Sequence, residues 1–210
     1  MIRFVYFDLG NVLFSFDPEV ACQNVAKLVG VKAEAARSAI YDSGLQDDFE
    51  HGRVSVKGFG VRVSDALGIT SDLAEDAIAL AAADMFHPIE EMVPVLDGLQ
   101  QRGMPIGILS NTCESHWRFL VDTKHPLLDR KFDSVILSYE VASMKPDDQI
   151  YRAAELGCSA SQSEVQSSGI LFVDDKRENV EAARLRGWRA EVISSTEDVQ
   201  LAIERWISVS

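Results

Sequence analysis

Asp8, Ser110, Asn111, Lys145, Asp174 and Asp175 are the residues of this 210-residue chain whose types could do chemistry together. Each closes or follows a short apolar run. "VYFD" ends on Asp8, "PIGIL" is followed by Ser110 and Asn111, "GILFV" by Asp174 and Asp175, and Lys145 comes after "SVILS" in "YEVASMKPDD". Three carboxylates are the hard oxygen ligands that Mg²⁺ takes in sites that keep waters and admit a substrate phosphate. A lysine is a point charge suited to a phosphoryl group, and a serine hydroxyl with nearby amides can hold its oxygens. A carboxylate can itself be the nucleophile and carry an aspartyl-phosphate, with catalysis resting on in-line positioning and charge neutralisation. Taken singly, each residue has a plain structural explanation too: a turn at Asp8, helix caps at Ser110 or Asp174 and Asp175, a solvated lysine at Lys145. Their shared place at the ends of apolar runs is what points to a site.

The elements that must position them are legible as two alternating textures. Apolar runs at 2–8, 105–111, 134–138, 169–175 and 189–194 predict buried parallel strands, and helical patterns at 89–102, 113–121, 147–156, 178–186 and 196–206 lie among them. Gly103, Gly157 and Gly187 stand where left-handed residues would close three of these helices. Strand and helix alternating at this spacing predict an α/β core, a Rossmann-like parallel sheet flanked by helices. Ligands bind such sheets beyond the C-terminal strand ends, so the candidate residues would share one face. Between about Ser15 and His87 the rhythm breaks: helices are predicted at 18–29, 32–42, 56–67 and 72–86, with no convincing strand. Asp17 and Pro18 suit the cap and first position of the first of these, and Ser71 the cap of the last. The predicted organisation is a core over 1–14 and 88–210, with a small all-helical cap over 15–87 inserted after the first strand.

Composition narrows the function classes. A net charge of −13 and the lack of a basic stripe argue against a nucleic-acid partner. No segment has the length of a membrane span, and the N-terminal apolar run is too short for a signal peptide. Cys22, Cys113 and Cys158 share no metal-ligand spacing, which suggests free thiols in a reducing cytoplasm. The four histidines are scattered.

In order along the chain, "DLGNV" (8–12), "LSNT" (109–112), Lys145 in "MKPDDQIY" and "VDDKREN" (173–179) resemble the four motifs of the haloacid dehalogenase superfamily of hydrolases. The resemblance covers nearly the whole chain, and the helical insertion sits where that superfamily carries a small cap. "FEHGRVS" (49–55), "DLGNVL", and "LSNT" with Trp117 are similar to the branch containing glucose-1-phosphate phosphatases. The resemblance implies a Mg²⁺-dependent phosphatase for a small phosphorylated metabolite such as a sugar phosphate. Asp8 would be nucleophile and metal ligand, and the Gly10 carbonyl a second ligand. Ser110 and Asn111 would hold phosphoryl oxygens, and Lys145 would pair with Asp8 and the phosphoryl group. Asp174 and Asp175 would complete the metal site, one as a direct ligand (Asp175 the first candidate) and the other nearby or through water, an order the sequence leaves open, and Asn179 would orient the pair. Arg53 and Lys57 are candidate substrate contacts, as is His51.

One departure from the superfamily pattern matters. Its phosphatases usually carry a second aspartate two residues after the nucleophile as general acid and base, and this chain has Gly10 there. Asp17 could reach back to replace it, or serve only as a helix cap. A non-catalytic binding protein on the same fold is the alternative that this loss suggests. A metal-independent haloacid dehalogenase is a weaker one, since the aromatic residue and the arginine it would need are missing.

Overall fold

β1 (Phe4–Phe7) carries no exposed residue, because both of its faces are covered. The computed structural model describes residues 1–70, 73, 76–161 and 165–207. In it β1 is the middle of a five-stranded, all-parallel sheet of order β5-β4-β1-β6-β7. The other strands are β4 (Ile106–Ser110), β5 (Ser134–Leu137), β6 (Ile170–Asp174) and β7 (Arg189–Val192). Val5 and Phe7 pack on one side with residues of α6 (Met92–Gln101) and α11 (Thr196–Trp206). Phe4 and Tyr6 pack on the other with α9 (Asp148–Ser161) and α10 (Arg177–Leu185). The period of two along a strand thus feeds two separate apolar layers. The sheet grows from β1 outward in one direction and then returns to β6 on the other side. That topological switch leaves the ends of β1, β4 and β6 side by side.

The insertion contains α1 (Pro18–Val29), α2 (Ala33–Arg37), α3 (Leu45–Glu50), α4 (Val56–Leu67) and α5 (Ala77–Ala83). It has its own apolar cluster, in which Phe49 stacks on Phe59 with ring centroids 4.7 Å apart. α7 (Glu114–Asp122) and the short α8 (Ser138–Val141) follow β4 and β5. Among the described residues, no helix is long and apolar enough to cross a membrane.

Signals that depend on neighbours in sequence agree with the structure at two helix ends and at one cap. The Asp17 side chain accepts a hydrogen bond from Glu19 N–H at 2.8 Å with Pro18 at the first helical position. Gly103 and Gly187 both have positive φ at helix ends. Helix α6 starts at Met92, later than the pattern suggested, which puts Pro94 in the first turn, where no N–H is needed. The fourth insertion helix, expected over 72–86, spans only Ala77–Ala83: Leu73 and Asp76 are not helical and Phe86 begins a strand, while Ser71 and Asp72 lie outside the described residues.

Three expectations need correction, each for a tertiary reason. Gly157 does not end a helix, since α9 continues to Ser161. A Cβ there would overlap the Ser134 hydroxyl and lie 3.3 Å from Tyr6 Oη, so the glycine is a close-packing position. The insertion is not strand-free at its borders: β2 (Phe14–Phe16) and β3 (Phe86–Pro88) pair as a two-stranded antiparallel ribbon. Three-residue strands carry no readable period. The helix predicted over 32–42 is α2 followed by a π-helical turn, Ser38–Asp42, and α3 was not anticipated.

Gly157→Ala should destabilise the protein by about 1–3 kcal/mol through overpacking, although alanine gains about 1 kcal/mol of helix propensity over glycine. Urea denaturation measures the net sign.

Candidate active site

The parallel register carries Asp8, Ser110 and Asp174 to neighbouring strand ends. Phe7 pairs with both Ile108 and Val173, and Asp8 N–H donates to the Val173 carbonyl at 3.1 Å. Adjacent strands are about 4.8 Å apart, so side chains leaving those ends must meet. Asp8, Asp174 and Asp175 can present oxygens that all lie within 4.8 Å of one another.

Lys145 reaches into this cluster from the segment after α8. Its ammonium is 2.9 Å from Asp8 Oδ1 and donates to Asp174 Oδ2 at 2.7 Å and the Leu109 carbonyl at 2.8 Å. Three partners match its three N–H donors, and the Phe172 ring lies below it at 5.3 Å. Burial alone would lower the Lys145 pKa, but Asp8 and Asp174 outweigh it and hold the ammonium charged. Asp8 shows the reverse balance. Burial pushes its carboxyl up to about 6, with Asp174 adding to the rise and Lys145 pulling against it.

The two acidic residues after β6 are held differently. Asp174 is fully buried and takes hydrogen bonds on both oxygens, from Asn179 Nδ2 at 3.0 Å to each, from Lys176 N–H and from Lys145. Asn179 lies in the first turn of α10, so one helical turn aims its amide back at the strand end. Asp175 is half-buried and accepts one side-chain bond, from Asn11 Nδ2 at 2.9 Å. On Asp8, Leu9 N–H and Lys145 both reach Oδ1, at 2.7 and 2.9 Å. Among the described residues no donor reaches Oδ2.

Three carboxylates against one ammonium leave two formal negative charges in a largely buried cluster. A hard divalent cation suits that excess and that all-oxygen donor set. Gly10 follows in a tight turn in which Leu13 and Phe14 N–H both bond the Leu9 carbonyl at 2.9 Å. The ring of Phe16 covers it, and a Cβ on residue 10 would come within 2.8 Å of that ring.

Ser110 and Asn111 stand at the end of β4. Asn111 does something the sequence did not disclose: its amide donates to the Lys145 carbonyl at 2.9 Å and its Oδ1 accepts from Lys145 N–H at 2.7 Å. It therefore braces the lysine segment. Its neighbour Ser110 lines a cavity of about 60 Å³ together with Gly10, Phe16, Glu50, Asn111 and His116. Arg53 is not among the residues lining this cavity. Its guanidinium pairs with Asp48 at 3.1 Å and is largely exposed, as is Lys57. His51 contacts its own helix at Asp47, and Asp17 is exposed at its cap. The Cys113 thiol is buried, which drives its pKa up to about 12 and leaves it inert. A larger hollow of about 480 Å³ between α9 and α10 holds none of the candidate residues, and its Arg186 and Glu155 already bond each other.

Comparison with known proteins agrees with this geometry. The chain belongs to the haloacid dehalogenase-like hydrolases, whose family pattern matches residues 2–187. A phosphatase from Mycobacterium tuberculosis is 26% identical over 99% of this chain and 94% of its own length. A D-ribitol-5-phosphate phosphatase from Bacteroides thetaiotaomicron is 26% identical over 90% of each chain. A haloacid dehalogenase family enzyme from the same organism, solved with magnesium and inorganic phosphate, shares the fold with a TM-score of 0.78 at 20% identity, over 91% of this chain and 94% of that one.

Removing the cation from the cluster should be severe. Lys145→Met leaves two carboxylates buried without their partner, at a cost of about 3–5 kcal/mol, whereas Lys131→Met on the surface should change stability by less than about 0.5 kcal/mol. Denaturant melts of the two variants at pH 7 provide the comparison.

Proposed function

We infer that this hydrolase is a Mg²⁺-dependent phosphatase that cleaves a small phosphorylated metabolite through an aspartyl-phosphate on Asp8. The observation that carries this reading is the geometry of the Asp8 carboxyl group: Leu9 N–H and Lys145 anchor Oδ1, and among the described residues no donor reaches Oδ2. The phosphatases among its relatives support the same class.

In this reading Asp8 Oδ2 attacks phosphorus in line, and the bond to the leaving oxygen breaks. Leu9 N–H and Lys145 keep the carboxylate oriented, which turns the encounter into a positioned, unimolecular step. Lys145 also neutralises charge gathering on the phosphoryl oxygens, and Ser110 is placed to hydrogen-bond one of them. Asn111 acts on the reaction by fixing the Lys145 backbone. Water then attacks phosphorus, the Asp8–phosphate bond breaks, and inorganic phosphate leaves.

Asp8, the Gly10 carbonyl and Asp175 would hold the Mg²⁺. Asp174, whose oxygens are already occupied by Lys145, Asn179 and Lys176, would support them from behind. When bound, the ion supplies positive charge that balances the carboxylates and the incoming phosphate. The insertion over 15–87 serves as a cap on the core of 1–14 and 88–210 and shapes the leaving-group side. The substrate is a small molecule, with a sugar phosphate the leading candidate. The three free cysteines fit a cytoplasmic setting, and the acidic chain suits no nucleic-acid partner.

Phosphate release from an aryl phosphate and from glucose 1-phosphate, with Mg²⁺ and with EDTA, tests the reading. Turnover should require Mg²⁺ and vanish in Asp8→Asn, and borohydride quenching during turnover should convert residue 8 to homoserine, detected by mass spectrometry. Failure of folded, Mg²⁺-bound protein to release phosphate from either ester would favour a non-catalytic binding role. In calorimetric titrations, Asp175→Asn should abolish Mg²⁺ binding, while Asp174→Asn should weaken it about 10–100-fold, as outer-shell changes do. The reverse ranking would exchange the two roles.

A further inference from the structure

An alkoxide is a poor leaving group unless it receives a proton as the bond to phosphorus breaks. Asp8 is the nucleophile and cannot supply it, and the Lys145 ammonium, a weak acid with its pKa raised, already gives its N–H groups to Asp8, Leu109 and Asp174. The donor must face the cavity beside Gly10 and Ser110. Two ordinary titratable side chains line that cavity, Glu50 and His116. His116 is buried against the Phe86 ring, and burial lowers its pKa to about 4, so at neutral pH it holds no acidic proton. Asp17 is exposed and engaged by Glu19 N–H.

We propose that Glu50, at the C-terminal end of α3, is the general acid and general base of the reaction, a role that rests on the phosphatase reading. The first observation is how firmly the insertion delivers it to the strand ends. Its carbonyl lies 2.6 Å from Ser138 Oγ, and the same hydroxyl accepts a hydrogen bond from Thr112 N–H at 2.9 Å. Glu50 is therefore tied through one side chain to the loop that carries Ser110 and Asn111. Two residues on, Gly52 has φ +71 and sits against the Tyr139 carbonyl where a Cβ would overlap it, so the chain can approach the core this closely only with glycine.

The second observation is the carboxyl group itself. Gln46 Nε2 holds Oε1 at 2.8 Å, and among the described residues no donor reaches Oε2. Burial raises the Glu50 pKa to about 7. Its neighbours act with both signs: the Gln46 hydrogen bond and the Lys176 charge pull it down, the Asp47 and Asp8 charges push it up, and Tyr41, Cys113 and His116 are uncharged at neutral pH. A carboxyl poised near the working pH can give a proton and take one back.

The third observation is steric. The Phe16 ring lies over Gly10, where a Cβ would come within 2.8 Å of it, and Glu50 lines the same cavity as both, as the carboxyl group on its wall. In the first half-reaction Asp8 Oδ2 bonds to phosphorus, the bond to the leaving oxygen breaks, and the Glu50 proton goes to that oxygen. In the second, the Glu50 carboxylate takes a proton from water as its oxygen bonds to phosphorus and the Asp8–phosphate bond breaks. Glu50 ends protonated and Asp8 ionised, as they began.

Leaving-group dependence separates this role from a structural one. Glu50→Gln keeps the size and a polar contact for Gln46 but has no acidic proton. It should lower kcat/KM for an alkyl ester such as glucose 6-phosphate by about 10²–10⁴-fold, and for 4-nitrophenyl phosphate by less than about tenfold. The wild-type kcat/KM for the alkyl ester should fall above pH about 7, because only protonated Glu50 donates, and this limb should be missing from Glu50→Gln. Asp17→Asn should change neither ester. Stability gives a readout independent of turnover. A raised folded pKa means that ionisation of Glu50 favours the unfolded chain, so wild-type stability declines between pH 4.5 and about 7, and Glu50→Gln should flatten that decline. Should Glu50→Gln fold poorly, Glu50→Asp provides the second test, retaining the pH limb at a reduced rate. Equal losses for both esters, a persistent limb, or wild-type turnover of the aryl ester alone would each overturn the assignment. If the wild type released phosphate from neither ester, the phosphatase reading would fall, and this role with it.

Discussion

A single buried ammonium ties the site together. Lys145 donates one bond to each of the three central strand ends: the Asp8 carboxylate just past β1, the Leu109 carbonyl of β4 and the Asp174 carboxylate at the end of β6. A charge so buried is tolerable only when every donor is met. The parallel register meets all three, because Phe7 stands level with both Ile108 and Val173. A slip of one residue along either strand would turn a carboxylate or carbonyl away and strand the charge. Asn111 completes the arrangement by clamping the Lys145 backbone from both sides. The same contacts that satisfy the charge hold one oxygen of the nucleophile still and leave the other open.

The excess of negative charge around that ammonium explains the rest of the design. The sheet gathers three carboxylates where its topology switches direction, and their mutual repulsion opposes folding. Lys145 offsets part of it, Asn179 and the backbone N–H of Lys176 stabilise Asp174 by hydrogen bonds, and a divalent cation would offset the remainder. Asp174 and Asp175 are neighbours in sequence but differ in environment. Asp174, the last residue of β6, is fully buried and bonded on both oxygens, and Asp175, just past the strand, is half-buried and accepts from Asn11.

The helical insertion is more than an appendage. It carries its own apolar cluster, yet it meets the core through contacts that allow little slack: Ser138 between Glu50 and Thr112, Gly52 on the Tyr139 carbonyl, and Phe16 over Gly10. Gly10, Phe16, Glu50 and Thr112 are among the residues lining the cavity of about 60 Å³. Burial there moves the pKa of Glu50 towards neutrality and that of His116 away from it.

By itself the sequence determined the architecture and most of the candidate residues. Continuous apolar runs alternating with helical patterns suit strands covered on both faces, and the parallel sheet that follows gathers their C-terminal ends, so Asp8, Ser110, Asp174 and Asp175 were legible from runs that stop on polar residues, and Lys145 from the segment after another. Capping by Asp17 and the left-handed ends at Gly103 and Gly187 were legible for the same local reason. Contacts between distant segments were not. Gly157 has the look of a helix end, and only the Ser134 hydroxyl and Tyr6 make it a packing position. Arg53 has a type and place that suggest a substrate contact, but Asp48 holds it on the outer face. Glu50 was visible only as part of "FEHGRVS", with nothing local to distinguish it from other surface glutamates. Its environment is made by Ser138, Asp8 and Lys176, at least 42 residues away in the chain. Chain-local chemistry set which residues could act; the tertiary structure decided which of them meet, because desolvation and charge depend on what is near in space.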